Sequence, residues 1–122
     1  MKEKTPKAIR GAVCSANIKE EITQRTVELY DRLLTANNLA ETDILSIFFS
    51  ITSDIDALNP AAALRQSGRA VEIAMMVFQE AAVQDSLPGT IRVLIHAFIP
   101  AENPVQHIYF RGAEKLRPDR SS

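Results

Sequence analysis

An α/β or α+β domain on a five-stranded mixed sheet, with one long helix and one short helix, is the fold this sequence predicts. Three observations carry that reading. β-prone runs recur at residues 7–14, 44–51, 71–78, 91–99 and 107–110, the middle three rich in β-branched and aromatic residues. One stretch, from Asn17 to Asn38, repeats its apolar side chains at helical spacing. A second and shorter stretch is bracketed by Asn59-Pro60 and Gly68.

The elements follow in chain order. After the β-prone run at residues 7–14, Asn17 and Glu20 have the spacing of an N-cap and its reciprocal acid, so a helix is expected to start there. Ile22, Thr26, Leu29, Tyr30, Leu33 and Leu34 form its apolar face, with Lys19, Glu21, Arg25, Glu28 and Arg32 largely on the other side. Asn37-Asn38 is the expected end. Residues 44–51, 71–78 and 91–99 read as central strands, the third being the longest. Between the first two, Asn59 caps, Pro60 opens and Gly68 closes a short helix. A last strand is expected at about residues 107–110, after which Leu116-Arg117-Pro118-Asp119 leaves as a loop or tail. Two helices are scant cover for five strands. One sheet face is therefore expected to be wet or buried against another subunit, and its apolar content favours a homo-oligomer.

With 122 residues the chain suits one domain, residues 1–122, with residues 1–6 and 120–122 expected to be flexible. A net charge of -1 gives no basic excess, which argues against nucleic acid as a partner. No stretch has the length of a membrane span, and residues 1–7 lack the apolar core of a secretory signal. The single cysteine, Cys14, excludes an intrachain disulfide and fits a reducing compartment, so the cytoplasm is expected.

Arg92 is the residue that asks for a function, because it interrupts the most apolar stretch of the chain. A guanidinium in such a strand must face solvent, meet a carboxylate, or await an anionic ligand. Arg10 sits in a similar apolar setting beside Gly11, which allows a chain or ligand to approach the backbone. Glu80 reads equally as an ion partner for an arginine or as a site residue. Singly, Arg65, Arg69 and Arg117 are solvated charges, Tyr109 is an amphipathic core residue, and Cys14 is structural. His96 and His107 have no metal-ligand spacing, and no phosphate loop or Ser-His-Asp motif is present. Spacing by itself ends at an anion-binding oligomeric domain.

Ile9-Arg10-Gly11-Ala12, Gln79-Glu80, Ile91-Arg92-Val93, His107-Ile108-Tyr109 and Leu116-Arg117-Pro118-Asp119 carry more when taken in register. In order and spacing, including the gap of 12 residues between Glu80 and Arg92, nearly the whole chain resembles the small non-helical class of chorismate mutase. The resemblance implies a homotrimer of pseudo-α/β-barrel architecture with sites at subunit interfaces, no cofactor and no metal. It implies a Claisen rearrangement of the dicarboxylate chorismate to prephenate, a unimolecular step with no proton to move. What a protein supplies there is a grip on the compact substrate, and positive charge where the ether oxygen becomes negative.

By the same resemblance, Arg92 is the cation beside that oxygen, and Arg10 assists it while reaching a carboxylate. Glu80 accepts the substrate hydroxyl, and Tyr109 donates toward a carboxylate. Arg65 and Arg117 match peripheral basic positions, with Leu116 and Arg117 on a tail that closes over the site. Met76 and Val77 stand where the family has threonine and cysteine, Ala62 where it has lysine, and Asn59 where it often has an aromatic residue. The charge lost at Ala62 is expected to weaken substrate capture more than the chemical step, Asn59 to loosen the lid, and Met76-Val77 to remove polar side chains beside Glu80, with the backbone there still able to bind substrate. The alternative is a non-catalytic trimeric binding protein for a carboxylate metabolite.

Overall fold

The computed structural model describes residues 3–117. Pro118, Asp119 and the flexible end expected at 120–122 lie outside the described residues, as do the first two residues. Five strands are present: β1 (Lys4–Cys14), β2 (Ile44–Ile51), β3 (Ala74–Gln79), β4 (Thr90–Pro100) and β5 (Ile108–Phe110). Helices α1 (Lys19–Ala36) and α2 (Pro60–Gln66) complete the expected order. The strands form one mixed sheet in the order β3-β2-β4-β1-β5. β4 runs antiparallel to β1 and β2, while the outer pairs β2–β3 and β1–β5 are parallel.

Strand parity separates the two faces, since successive side chains of a strand point to opposite sides. In β4, Ile91, Val93, Ile95, Ala97 and Ile99 are buried, and the residues between them are not. Ile9, Val13, Ile47 and Phe49 share that buried side and pack with Ile22, Leu29 and Leu33 of α1 and Leu64 of α2 in one core. Both helices therefore cover the same face. The other face is left open, with Met76 55 % and Phe78 48 % exposed. Near the start of β2 the register passes from Ile44 opposite Ala97 to Ser46 opposite His96, so Leu45 is an extra residue turned outward. This bulge is why Ile44 and Ile47, of opposite parity, are both buried.

The structure corrects three expectations. β3 is an edge strand rather than a central one, and it begins at Ala74 because residues 71–73 form a turn after Ala70, which stands at φ 55°. Its residues are apolar on both faces, which imitates burial. Asn17 does not cap α1: the N-cap is Ile18, without a side-chain cap bond. Asn17 Oδ1 instead accepts the N–H groups of Asp56 and Ala57 at 2.9 and 2.8 Å, and Glu21, not Glu20, reaches back to the Ala16 N–H at 2.8 Å. Finally, β1 reaches back to Lys4, so residues 4–6 are paired with residues 98–100 rather than lying in a loose end.

The other signals act as the sequence indicates. Asn59 Oδ1 accepts from the Ala61 and Ala62 N–H groups at 2.8 and 3.2 Å and caps α2. Asn37 closes α1 and binds Gln106 through both its amide nitrogen and its amide oxygen, fixing the approach to β5. On the helical side, Glu41 accepts the Tyr30 hydroxyl and the Ala70 N–H, and Arg69 forks onto Asp31 with two contacts of 2.8 Å.

Candidate active site

Cross-strand register assembles the site on the open face. One rung runs Phe78, Ser50, Arg92, Ala12, Tyr109 across β3, β2, β4, β1 and β5. The next runs Met76, Phe48, Leu94, Arg10. Arg10 and Arg92 thus belong to adjacent rungs of neighbouring strands. On one side of Arg92 the small Ser50 side chain leaves a hollow, while on the other Ala12 lets Tyr109 pack down onto β1.

That hollow is a cavity of about 340 Å³, within the size range of small-molecule sites. Arg10, Arg92, Arg117 and Tyr109 bring polar groups to it, and Phe48, Phe78 and Leu94 give it apolar walls. Phe48 and Phe78 stack with ring centroids 6.2 Å apart, and His96 meets Phe48 edge-on at 5.6 Å. Tyr109 is held by Ala12 and Ala113, with Leu116 and Cys14 packed against the same group. The Arg10 N–H donates to His107 Nδ1 at 2.9 Å, which ties β1 to the entry of β5.

Glu80 meets Arg92 directly. Arg92 Nε donates to Glu80 Oε1 at 2.8 Å, and Nη2 lies 3.5 Å from Oε2. The pair is not a dry one, since the Arg92 side chain is 39 % and the Glu80 side chain 16 % exposed. Arg92 therefore faces solvent by parity and leans on a carboxylate, and it borders a cavity. Glu80 does not line that cavity. It sits behind Arg92, on a separate hollow beside Thr52 and Asp54.

Of the residues expected at the site, Arg10, Arg92, Tyr109 and Arg117 converge on the cavity, and Glu80 joins them through Arg92. Leu116 packs behind Tyr109 at the end of a 3-10 turn, residues 113–116, where a loop was expected. Arg65 is exposed in the last turn of α2 and does not reach this cavity. Met76 is exposed on the open face without lining it, and the Val77 side chain packs into the core. The walls supplied by Phe48, Ser50, Phe78 and Leu94 were not expected from the sequence. The alternation within residues 44–51 carried that information, because Phe48 and Ser50 have the parity opposite to Ile47 and Phe49.

Three guanidiniums border one hollow of an α+β sheet, with Glu80 leaning on Arg92, an arrangement suited to a small anionic molecule. The type I chorismate mutase family model matches residues 7–120, and the chain belongs to that family of isomerases. It is 36 % identical over 121 residues to chorismate mutase AroH of Thermus thermophilus, covering 95 % of this chain and 97 % of that protein. Chorismate mutase AroH of Bacillus subtilis (strain 168) is 30 % identical over 118 residues, covering 94 % and 92 %. Among solved structures, a chorismate mutase from Clostridium thermocellum superposes with a TM-score of 0.82 at 37 % identity, covering 90 % of this chain and 99 % of that one.

Proposed function

We propose that the chain converts chorismate to prephenate in the cavity of the open face, by restraining the substrate in its reactive shape and stabilising developing negative charge. The observation that carries this reading is the convergence of Arg10, Arg92, Arg117 and Tyr109 on one hollow of small-molecule size. A dicarboxylate satisfies the cations there, and the apolar walls suit a ring. Arg92 stands beside the ether oxygen as its bond to carbon breaks, and its interaction strengthens as charge accumulates. Arg10 and Arg117 hold carboxylate oxygens, Tyr109 donates to one of them, and Glu80, behind Arg92, fixes its guanidinium.

Assembly completes the site. The uncovered face and the apolar edge at β3 suit a homotrimer, in which Arg65, Met76 and the Val77 backbone serve a neighbouring subunit's cavity rather than their own. The cytoplasm is the proposed location; no helix of the described residues is long and apolar enough to cross a membrane.

The test is a chorismate-disappearance assay on purified protein, with light scattering on the same sample to read a mass three times 13.5 kDa. Arg92→Ala is expected to lower kcat by roughly 10² to 10³, as loss of an oxyanion-type donor does. Binding of chorismate without turnover, or wild-type kcat in Arg92→Ala, overturns the reading.

A further inference from the structure

The loop that joins Glu80 to β4 is fastened at both ends to one short stretch of chain, residues 51–54. At its start, Glu80 donates its N–H to the Ile51 carbonyl at 2.7 Å. At its end, the Gly89 N–H is shared between the two Asp54 carboxylate oxygens at 2.9 and 3.2 Å. Thr52 adds two further ties, donating its N–H to the Thr90 carbonyl at 3.1 Å and accepting the Thr90 N–H on Oγ1 at 3.0 Å. The Thr52 hydroxyl in turn donates to Asp54 Oδ1. Between these ends, residues 81–86 are exposed.

Gly89 explains why a side chain is needed at this junction. It stands at φ 58°, and a Cβ there would come within 2.9 Å of the Ser15 carbonyl oxygen. Its own carbonyl accepts the Ser15 N–H at 2.8 Å, binding it to the end of β1. The left-handed turn takes the Gly89 N–H out of the sheet ladder, and the Asp54 carboxylate receives it. The Thr52 hydroxyl, followed by the Gly89 N–H, keeps the Asp54 carboxyl below its ordinary value, so the acceptor is ionised at neutral pH.

We infer that Asp54 is a positioning residue for the reaction: by holding Gly89 it sets the separation at which Glu80, at one end of the loop, fixes the guanidinium of Arg92 beyond the other. This rests on the functional reading of Glu80 and Arg92 given above. An exposed loop has little packing of its own to hold its ends, so the fastening decides where they lie. A misplacement of about 1 Å in a catalytic group costs up to roughly 100-fold in rate.

The test is a double-mutant cycle read by steady-state kinetics. Asp54→Ala is expected to lower kcat by roughly tenfold with little change in KM, because Arg10, Tyr109 and Arg117 still grip the substrate. Asp54→Asn, which keeps one acceptor oxygen for Gly89, is expected to lose only about threefold. In a Glu80→Gln background either substitution should cost less than about twofold, since the Glu80–Arg92 contact whose geometry it sets is already weakened. Additive losses, or wild-type kcat in both folded Asp54 variants, overturn the inference. If Asp54→Ala fails to fold by circular dichroism, Asp54→Asn and its double variant decide in the same way. Glu80→Gln alone tells this apart from failure of the underlying reading: a wild-type rate there removes Glu80 from the chemistry, and the inference with it.

Discussion

Ser50 on β2 stands opposite Arg92 and lines the cavity beside it. A larger side chain would cover the guanidinium, whereas serine leaves its edge open to the cavity. Ser50→Leu is expected to fill that space and raise KM by about an order of magnitude, since intrusion into a shaped site costs about 1–3 kcal/mol. Thermal unfolding of the same variant should stay close to wild type, because Ser50 lies outside the core; a normal KM would show that substrate sits elsewhere. At this scale the sequence was informative where chemistry is unusual. Arg92 is conspicuous because a charge in an apolar strand needs a reason, and the reason here is parity. Phe48 and Phe78 were illegible as walls because an aromatic residue in a strand looks the same from either face. Arg65 carried no local sign of its distance from the cavity, since an exposed helical arginine reads alike near or far from a site.

Three residues long, β5 depends on β1 for its place, and Gly11 makes that pairing possible. A Cβ on Gly11 would meet the Ile108 carbonyl oxygen at 3.0 Å and the Leu29 and Leu33 side chains at 2.9 and 3.1 Å. The side chains can yield, but the carbonyl belongs to the strand that carries Tyr109. Gly11→Ala is therefore expected to destabilise the fold by about 1–3 kcal/mol in urea unfolding and to weaken substrate binding by displacing Tyr109. Unchanged stability would show that β5 shifts without cost. Elements marked at both ends were the most legible, as α2 shows, because a capping asparagine and a closing glycine act through local backbone geometry alone. The start of α1 was misread since Asn17 has the right chemistry for a cap but finds a stronger use, holding two N–H groups of the 52–58 segment. β3 was misplaced for a different reason: strand order is a long-range property, and apolar residues on an exposed edge strand resemble those of an interior strand.

For the molecule as a whole, electrostatics predict different acid responses for stability and turnover. Among the described residues, hydrogen bonds hold three carboxyls below their ordinary values: Glu28 through Arg111, Asp43 through Lys4 and Asp54 through Thr52. A carboxyl depressed on folding stabilises the protein above its unfolded value, and that stability is lost as pH falls through the lower folded value. Urea midpoints should thus be steady near neutrality and fall once pH drops below the ordinary values of 4.5 for Glu28 and 3.8 for Asp43 and Asp54. Turnover, by contrast, should be nearly flat from about pH 6 to 9 if no proton moves in the chemical step, and a sharp bell near neutrality would contradict the mechanism. The fastening of residues 80–89 to residues 51–54 also bears on how such a chain can change over generations. Residues 82–87 lie between two anchored ends, so insertions and deletions there alter an outward arc and leave Glu80 and Arg92 in place. One residue gained or lost between Thr90 and Arg92 would turn the arginine toward the helices and put an isoleucine or valine in the cavity. Evolution can lengthen this enzyme at the loop, but it must keep count inside the strand.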